Sequence, residues 1–432
     1  MTMPEQKKAV VPRLRFPEFR DAGPWEVKRL GEVFCERSER GGNGLELLSV
    51  TISDGVVRAA ELERKNNANA DLSNYKKVCP GDIVYNSMRM WQGASGVSWW
   101  HGVVSPAYTV VTPKESQNAV FWAYCFKLEH SIAEFVRFSQ GVTSDTWNLK
   151  YPAFSAIEMA FPAEQAEQQK IADCLSSLDE LIKLQAKQLE ALKAHKKGLM
   201  QQLFPREGET TPRLRFPEFR DAGPWEVKRL GDVYQFIPTN SFSREQLTYE
   251  SGTIKNIHYG DIHTKYRALF DVEREHVPFL IGNGVTEDFD DERFCVPGDV
   301  ILADASEDLD DIGKAIEIVN IGSHKVVAGL HTLHARQLAE DLVIGFGGCL
   351  FQCNAIREQI RKQAQGAKVL GISATRLKSI KLAAPRKPEQ QKIADCLSSL
   401  DEVIELQAKQ LEALQTHKKG LMQQLFPQEI DL

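Results

Sequence analysis

The chain has 432 residues, of which 42% are hydrophobic and 26% are charged. At about 150 residues per domain, this length predicts two to three domains, and the composition excludes a wholly disordered or fibrous chain. The 53 basic and 59 acidic side chains give a net charge of −6. That charge excludes a uniformly cationic DNA-binding protein but allows local basic patches. The first residues lack the apolar core of a signal peptide, no run of about 18 apolar residues occurs, and none of the eight cysteines forms a CxxC pair. We therefore expect a cytoplasmic protein with reduced thiols.

A duplicated frame surrounds two dissimilar inserts. A segment that reads PRLRFPEFRDAGPWEVKRLG covers residues 12–31 and returns unchanged at 212–231. A second segment covers residues 167–205 and returns at 389–427, where four of its 39 positions differ. Because internal repeats mark repeated structural units, we predict two copies of one architecture within the chain.

The inserts between these repeats look almost unrelated. The first covers residues 32–166 and the second covers residues 232–388. Each nevertheless has a Pro-Gly-Asp turn before a β-branched strand, at Asp82 and Asp299, followed by a Val-Val pair and a Gln-Gly step. Shared landmarks in the same order predict one fold with two different surfaces.

The 39-residue repeat has the pattern of a coiled-coil helix. Apolar residues return in steps of four and three, and Pro205 and Pro427 end the two copies. The stripe comprises Ile171, Leu175, Leu178, Ile182, Gln185, Leu189, Leu192, Lys196, Leu199 and Leu203 in the first copy, and Ile393, Leu397, Leu400, Ile404, Gln407, Leu411, Leu414, Lys418, Leu421 and Leu425 in the second. A stripe this narrow needs a partner helix. We predict that the two copies pair antiparallel within the chain; the alternatives are that each helix packs on its own domain or pairs with a second chain.

The predicted fold class is α+β: two mixed α/β domains joined by a long antiparallel two-helix coiled coil, with an internal pseudo-twofold axis. The predicted domains cover residues 1–166 and 206–388. The predicted helices cover residues 167–205 and 389–432, the latter with a C-terminal tail.

Two details of this arrangement follow from the sequence. Gln185 and Gln407 fall near the middle of the two stripes, where they could form a hydrogen bond that fixes the register. Trp25 and Trp225 lie in the short aromatic repeats, which we expect to pack against helix ends.

The sequence offers no motif for catalysis by this chain. It has no GxxxxGK[ST] phosphate loop, no GxSxG, HExxH or GxGxxG motif, and no Asn-Pro-Pro-aromatic box of the kind that amino-methyltransferases use. The acidic run 307–311 lacks the glycine and distal glutamate of a calcium loop, so we interpret it as a solvated loop. We expect no catalytic residue, no metal site and no cofactor in this chain.

Polar loops in both inserts have side chains that suit DNA bases. Arginine pairs bidentately with guanine, and Asn or Gln with adenine. The candidate DNA-binding residues are Asn86, Arg89, Trp91, Gln92, Thr143, Ser144, His258, Tyr259, Ser306, Lys314, His331 and Lys368. Taken alone, the segment that contains the first four of these residues, 85–96, is explained equally well as an ordinary polar loop. Basic residues late in the second insert, from Arg357 to Lys381, predict a phosphate-facing stripe; the alternative is a solvated helix face.

Together these features resemble the specificity (S) subunits of type I restriction–modification systems. The resemblance covers essentially the whole chain. It rests on the duplicated EQQKIADCLSSLDELI helix with its HKKGLMQQLFP end, on the Trp25 and Trp225 segments, on MRMWQGASG and VVSPAY in the first insert, and on GDVILADASEDLDDIGKA and VVAGLH in the second.

The resemblance implies a division of labour. The inserts would be target recognition domains, each reading one half of a split, asymmetric DNA site. Two methyltransferase (M) subunits would bind S-adenosylmethionine and methylate adenine, and restriction (R) subunits would use ATP and Mg. This chain would be the non-catalytic subunit of that complex. The residues also leave two other hypotheses: an enzyme with an unrecognised site, and a coiled-coil adaptor that binds proteins rather than DNA.

Overall fold

The computed structural model describes residues 10–41, 44–62, 71–281 and 289–427. The chain divides into two compact units, which are Met1–Ala186 with Gln410–Leu432, and Lys187–Lys409. We call them the first unit and the second unit. Each contains one insert, one aromatic repeat and parts of both long helices. None of the helices in the described ranges is long and apolar enough to cross a bilayer.

The first unit consists of small sheets flanked by short helices. Its strands are β1 (Glu26–Arg29), β2 (Phe34–Glu36), β3 (Glu46–Thr51), β4 (Gly55–Arg58), β5 (Lys76–Val78), β6 (Ile83–Asn86), β7 (Ser95–Val97), β8 (Gly102–Val104), β9 (Tyr108–Pro113) and β10 (Glu158–Phe161). Its short helices are α1 (Leu30–Val33), α2 (Ala119–Cys125), α3 (Glu129–Phe138) and α4 (Tyr151–Ala156). The long helix α5 covers Gln165–Leu203, and its first part belongs to this unit. The main sheets have the orders β2-β9-β6-β7 and β4-β3-β8-β5, with β3 and β8 parallel, and β1 pairs with β10.

Strand β6 is buried on both faces of its sheet. Ile83 and Tyr85 face a large aromatic core that also contains Trp122 and the start of α5. Val84 faces a smaller aliphatic core between the two sheets. This alternation follows from the two-residue period of a strand, and a shift of β6 by one residue would exchange the side chains that face the two cores.

The second unit has the same kind of architecture with longer connections. Its strands are β11 (Glu226–Arg229), β12 (Tyr234–Ile237), β13 (Leu247–Thr248), β14 (Ile254–Ile257), β15 (Leu269–Asp271), β16 (Phe279–Leu280), β17 (Val300–Ala303), β18 (Ala305–Ser306), β19 (Ala315–Asn320), β20 (Lys325–Ala328), β21 (Thr332–Gln337), β22 (Leu370–Gly371) and β23 (Lys381–Ala384). Its short helices are α6 (Leu230–Val233), α7 (Tyr259–Thr264), α8 (Phe346–Gln352), α9 (Asn354–Gln363) and α10 (Ala374–Leu377). The long helix α11 covers Lys387–Leu425, and its first part belongs to this unit. The main sheets have the orders β12-β21-β17-β19-β15 and β13-β16-β14-β20.

The sequence landmarks occupy equivalent places in the two units. Each Pro-Gly-Asp turn precedes a central strand, β6 or β17, that runs antiparallel to β9 or β21. The aspartate accepts a hydrogen bond from the backbone N–H three residues earlier, at 2.8 Å in both units. It also accepts from an arginine, Arg37 for Asp82 and Arg336 for Asp299. The prediction of one fold with two different surfaces is confirmed.

Within each unit, the beginning of one long helix packs antiparallel against the end of the other. In the first unit Lys418 Nζ lies 2.5 Å from Asp179 Oδ1, and in the second unit Lys196 Nζ lies 2.5 Å from Asp401 Oδ1. These are the same two repeat positions in exchanged copies. All stripe residues are buried or half-buried. Antiparallel pairing within the chain is therefore confirmed, and the two alternatives are not needed.

The middle of each stripe is polar. Gln185 Oε1 in the first unit and Gln407 Nε2 in the second are buried without a hydrogen-bond partner among the described residues. A buried amide atom without a partner destabilises a seam. The hydrogen bond between the two glutamines remains a prediction.

The aromatic repeats pack against helix ends, as predicted. Trp25 meets Phe426 edge-on with ring centroids 6.0 Å apart, and Trp225 meets Phe204 at 5.8 Å. In each unit the tryptophan is therefore anchored on the end of one helix. An adjacent ion pair, Arg15–Glu167 in the first unit and Arg215–Glu389 in the second, joins the same segment to the start of the other helix.

A buried ion pair closes this joint in both units. Arg15 donates to the two carboxylate oxygens of Glu167 at 2.7 and 2.6 Å, and Arg215 donates to Glu389 at 2.8 and 2.7 Å. The side chains of the first pair are 9% and 2% exposed. The two parallel hydrogen bonds fix the relative orientation of the guanidinium and the carboxylate. Removing either side chain would leave the other charge buried without a counter-charge.

We predict that Glu167→Gln lowers the free energy of unfolding by about 3 kcal/mol, because the Arg15 guanidinium then stays buried without a counter-charge. Urea denaturation followed by tryptophan fluorescence measures the change. Glu180→Gln, at an exposed position of the same helix, is the control and should change stability by less than about 0.5 kcal/mol. Equal stabilities of the two variants would contradict the prediction.

Candidate nucleic-acid interface

A tightly bonded loop, residues 86–94, follows β6 in the first unit. The Asn86 backbone N–H donates to Ala94 O at 2.9 Å, and that of Ala94 donates to Arg89 O at 3.2 Å. A single 3₁₀ turn ends at Gly93, whose φ of 78° is left-handed and suits glycine. The loop is therefore ordered by its own backbone. The exposed Arg89 and half-buried Gln92 lie on it, with Arg89 Nη1 3.5 Å from Gln92 Oε1.

A second loop, residues 140–148, lies beside the first. Trp91 and Trp147 meet edge-on with ring centroids 5.3 Å apart, and Trp91 Nε1 donates to Met88 O at 3.0 Å. Trp91 is thus an anchor between two loops, and its indole N–H already has a partner. Thr143 and Ser144 are exposed in the second loop. The structure therefore brings the predicted first-unit residues together on one surface.

Lys127, which sequence analysis did not single out, supports this surface from below. Its ammonium donates to Gly93 O of the first loop and to Ile52 O of the β3–β4 turn at 3.0 Å. Burial lowers the pKa of Lys127 to about 8, although Asp54 opposes the shift. No sequence pattern marks such a residue, because the loops that it connects are far apart in the chain.

In the second unit the equivalent strand end carries different side chains. Asp304 follows β17, and its carboxylate Oδ1 lies 3.1 Å from His331 Nδ1. The Tyr259 ring meets the His331 ring edge-on with centroids 5.2 Å apart. Predicted residues Tyr259 and His331 are therefore neighbours, although 72 positions separate them in the sequence. Asp304 was missed because it lies in a motif that sequence analysis treated as a strand and acidic loop.

Two other predicted residues of the second unit are engaged within the protein. Ser306 Oγ accepts from the Asp308 N–H at 3.0 Å and shapes the turn. Lys314 Nζ donates to His263 O at 2.6 Å and lies 3.4 Å from Asp311. The polar atoms of both residues therefore already serve the conformation of their own loop.

His258 is corrected by the structure. It is 6% exposed, and it caps α7 by accepting the Gly260 N–H on Nδ1 at 3.2 Å. Burial, and then the nearby Arg244, lower the pKa of His258 to about 4. A buried, neutral capping imidazole is not available to a base edge, so His258 is a support for the adjacent Tyr259.

Three of the basic residues late in the second insert are not free to line a phosphate-facing stripe. Arg357 donates to Ile312 O at 2.8 Å, Arg361 pairs with Asp310 at 2.6 Å, and Arg376 donates to Gln363 O at 3.0 Å. The first two contacts join helix α9 to the acidic loop, and the third joins α10 to the end of α9. Lys368, by contrast, is exposed in the loop that precedes β22.

Within the described ranges, one group of side chains has the spacing of a metal site: Cys295, Asp299 and His334, with ligand atoms within 4.8 Å of one another. Both Asp299 oxygens accept from Arg336, at 2.9 and 2.7 Å, and His334 Nε2 lies 2.7 Å from the same carboxylate. The Arg336 guanidinium already supplies the positive charge that balances the Asp299 carboxylate. The first unit has the same Asp–Arg pair, at Asp82 and Arg37, without an equivalent of His334. We interpret the group as a structural ion-pair network.

Comparison with known proteins gives a consistent result. The sequence profile of the type I restriction modification DNA specificity domain matches residues 23–194 and 223–416. The type I restriction enzyme MjaVIII specificity subunit of Methanocaldococcus jannaschii is 24% identical over 436 positions, which cover 96% of this chain and 94% of that protein.

Solved structures have the same fold. The type I restriction–modification S subunit from M. genitalium superposes with a TM-score of 0.57 at 14% identity, covering 97% of this chain and all of the other. A chain from a structure on complex assembly and conformational transition of the type I R-M system gives a TM-score of 0.53 at 14% identity, covering 94% and 98%.

We predict that His258 makes the second unit sensitive to acid. Since the pKa of His258 is lowered from 6.5 to about 4 on folding, the unfolded state binds the proton first as pH falls. Stability should therefore fall between about pH 6.5 and 4, by about 1–2 kcal/mol at pH 5. His258→Asn keeps a capping oxygen and should lose less stability between pH 7 and 5 in urea titrations. The same loss in both proteins would contradict this.

Proposed function

The chain belongs to the type I restriction modification DNA specificity family, and from this premise we propose that it reads a bipartite, asymmetric DNA site for a methylating and restricting complex in the cytoplasm. One observation carries the proposal: two units of the same fold present different side chains at the equivalent strand end. The first presents Asn86, Arg89 and Gln92, and the second presents Tyr259 and His331. Two dissimilar readers on one frame correspond to two different half-sites.

The chemistry of each surface supports base reading. Arg89 can donate two hydrogen bonds to guanine, and Gln92 can pair with adenine. Asn86 Oδ1 already accepts the Met88 N–H at 3.1 Å, so Asn86 has its amide N–H groups left for a base or phosphate. Because the loop backbone is held by its own hydrogen bonds, binding DNA costs little ordering entropy. The exposed Thr143, Ser144 and Lys368 lie on flanking loops, where phosphate contacts position a protein on the duplex.

The repeated helices are the proposed docking surface for two M subunits. Leu184 is 65% exposed in the first unit, and the equivalent Leu406 is 67% exposed in the second. Leu181 and Val403, one turn earlier in the two copies, are also exposed. Both copies therefore present an apolar pair to solvent, which suits a partner surface. Nearly identical helices would present the same surface to two identical partners. The R subunits would join this assembly.

In the proposed complex, this chain takes no part in the covalent chemistry. The M subunits would supply S-adenosylmethionine and transfer its methyl group to adenine N6, and the R subunits would use ATP and Mg. This chain would decide which adenines are presented. Its sequence offers binding side chains and no catalytic motif, which agrees with that role.

Mapping of N6-methyladenine in genomic DNA tests the proposal. Cells that express this chain with its M partner should show a two-part methylated motif that is absent without the chain. We predict that Arg89→Ala relaxes or changes the motif at one or two adjacent positions of a single half-site, at about 1–3 kcal/mol of discrimination, because a single loop is altered.

Arg137→Ala is the matched control, since Arg137 is exposed on α3 of the same unit. It should leave the motif unchanged. Absence of any chain-dependent methylated motif would overturn the proposed function and favour a protein-binding adaptor. Changes in both half-sites on Arg89→Ala would assign the loop a structural role.

We predict that the double variant Leu184→Asp, Leu406→Asp loses copurification with the M subunit while keeping its unfolding transition. Burying a carboxylate in an apolar contact is strongly unfavourable, whereas on a free surface it is tolerated. Leu338→Asp, at an exposed leucine outside the repeat, is the control and should copurify normally. Undiminished copurification of the double variant would place the docking surface elsewhere.

A further inference from the structure

We propose that His331, with its tautomer set by Asp304, reads an exocyclic amino group of adenine or cytosine in the half-site bound by the second unit. The inference rests on the proposed function and deepens it, since it assigns one side chain, one ring atom and one class of base edge.

The backbone at His331 is held in an unusual conformation. Its φ is 54°, and among the described residues no other non-glycine side chain has a positive φ. The left-handed region is unfavourable for most residues with a Cβ; histidine, asparagine and aspartate enter it more readily than the others, and glycine enters it at no steric cost. A glycine would therefore suffice for a purely structural turn, and the turn itself does not require the imidazole.

Asp304 is a rigid partner for this ring. Its backbone N–H donates to His331 O at 3.0 Å, and its own carbonyl accepts the Ile372 N–H at 2.9 Å. Its carboxylate Oδ1 lies 3.1 Å from His331 Nδ1. The Asp304 backbone is thus hydrogen-bonded to two other segments of the chain. The edge-on ring of Tyr259 further restricts the orientation of the His331 imidazole. The imidazole remains 51% exposed.

This geometry decides which hydrogen bond the imidazole can offer. An ionised carboxylate only accepts hydrogen bonds, so His331 Nδ1 must carry the proton and donate it to Asp304. In the neutral ring, Nε2 then has a lone pair and no proton. A lone pair accepts from the N6 amino group of adenine or the N4 amino group of cytosine, and it repels the O6 and N7 acceptors of guanine.

The first unit supports the specificity role by contrast. There the positions that correspond to Asp304 and His331 are Ser87 and Ala107, since Asn86 and Tyr108 pair in the β6–β9 register as Ala303 and Thr332 do in β17–β21. The fold is thus compatible with quite different pairs at this place. A pair that varies between equivalent strand ends, while the strands keep their register, has the properties of a reading position and not of a core position.

The test uses the complete methyltransferase complex, containing this chain and its M partner, with DNA duplexes that carry the mapped motif and every single base-pair change in it. His331→Asn is the decisive variant. Asparagine suits the left-handed backbone and can place its amide near Asp304, but it has no group that replaces Nε2. We expect discrimination at one base pair of one half-site to fall about fivefold or more, with the other half-site unchanged.

Asp304→Asn provides an independent outcome. Its amide can donate to Nδ1, which moves the imidazole proton to Nε2 and reverses the hydrogen-bonding character of the exposed edge. The preference at the same base pair should shift from an amino group toward thymine O4 or guanine O6. His331→Gly, which removes the ring and relieves the backbone, should match His331→Asn in the lost discrimination.

The inference is overturned if His331→Asn discriminates at every position like the unaltered complex, or if Asp304→Asn simply weakens methylation without changing the preferred base. Either result would leave the proposed function intact, because the unaltered complex would still methylate its two-part motif. Failure of the unaltered complex to methylate any motif would instead refute the proposed function.

Discussion

The constraint on which the structure depends is the narrow apolar stripe of the repeated helices. Such a stripe can leave water only against another helix, and here the beginning of one copy is covered by the end of the other in each unit. The ends are then closed by Trp25 and Trp225 and by the bidentate Arg15–Glu167 pair and its duplicate. Because every component of this joint belongs to a repeated segment, the joint forms in the same way twice.

A frame built in this way separates stability from recognition. The buried cores, the ion pair and the helix seam come from strands, short helices and repeats, whereas the candidate reading residues lie in loops and at the ends of elements. Loop 86–94 is stabilised by its own backbone hydrogen bonds and by Lys127. Its outer side chains can therefore change without altering the joint, which is the property that a recognition surface needs.

The repeats are adapted to the inserts at one of the few places where they differ. Glu405 accepts hydrogen bonds from Arg267 of the second insert at 2.7 and 3.1 Å, and the corresponding residue of the first copy is Lys183. A lysine at position 405 would repel Arg267. This difference therefore has a physical reason, whereas the identical stripe residues are fixed by the demands of the seam.

The sequence by itself determined the duplication, the helix stripe, the antiparallel pairing, the anchoring of the tryptophans and the common fold of the inserts. These follow from local periodicity and from apolar surface that has only one way to be buried. Only the tertiary structure decided which polar residues are available. His258 and His331 look alike in the sequence, but one is a buried cap and the other is exposed beside Asp304. Lys127 and Trp147 gained their roles from loops that meet across the fold. Residue type indicates which hydrogen bonds a side chain can make, but burial and the partners already in place decide which of them remain for a ligand.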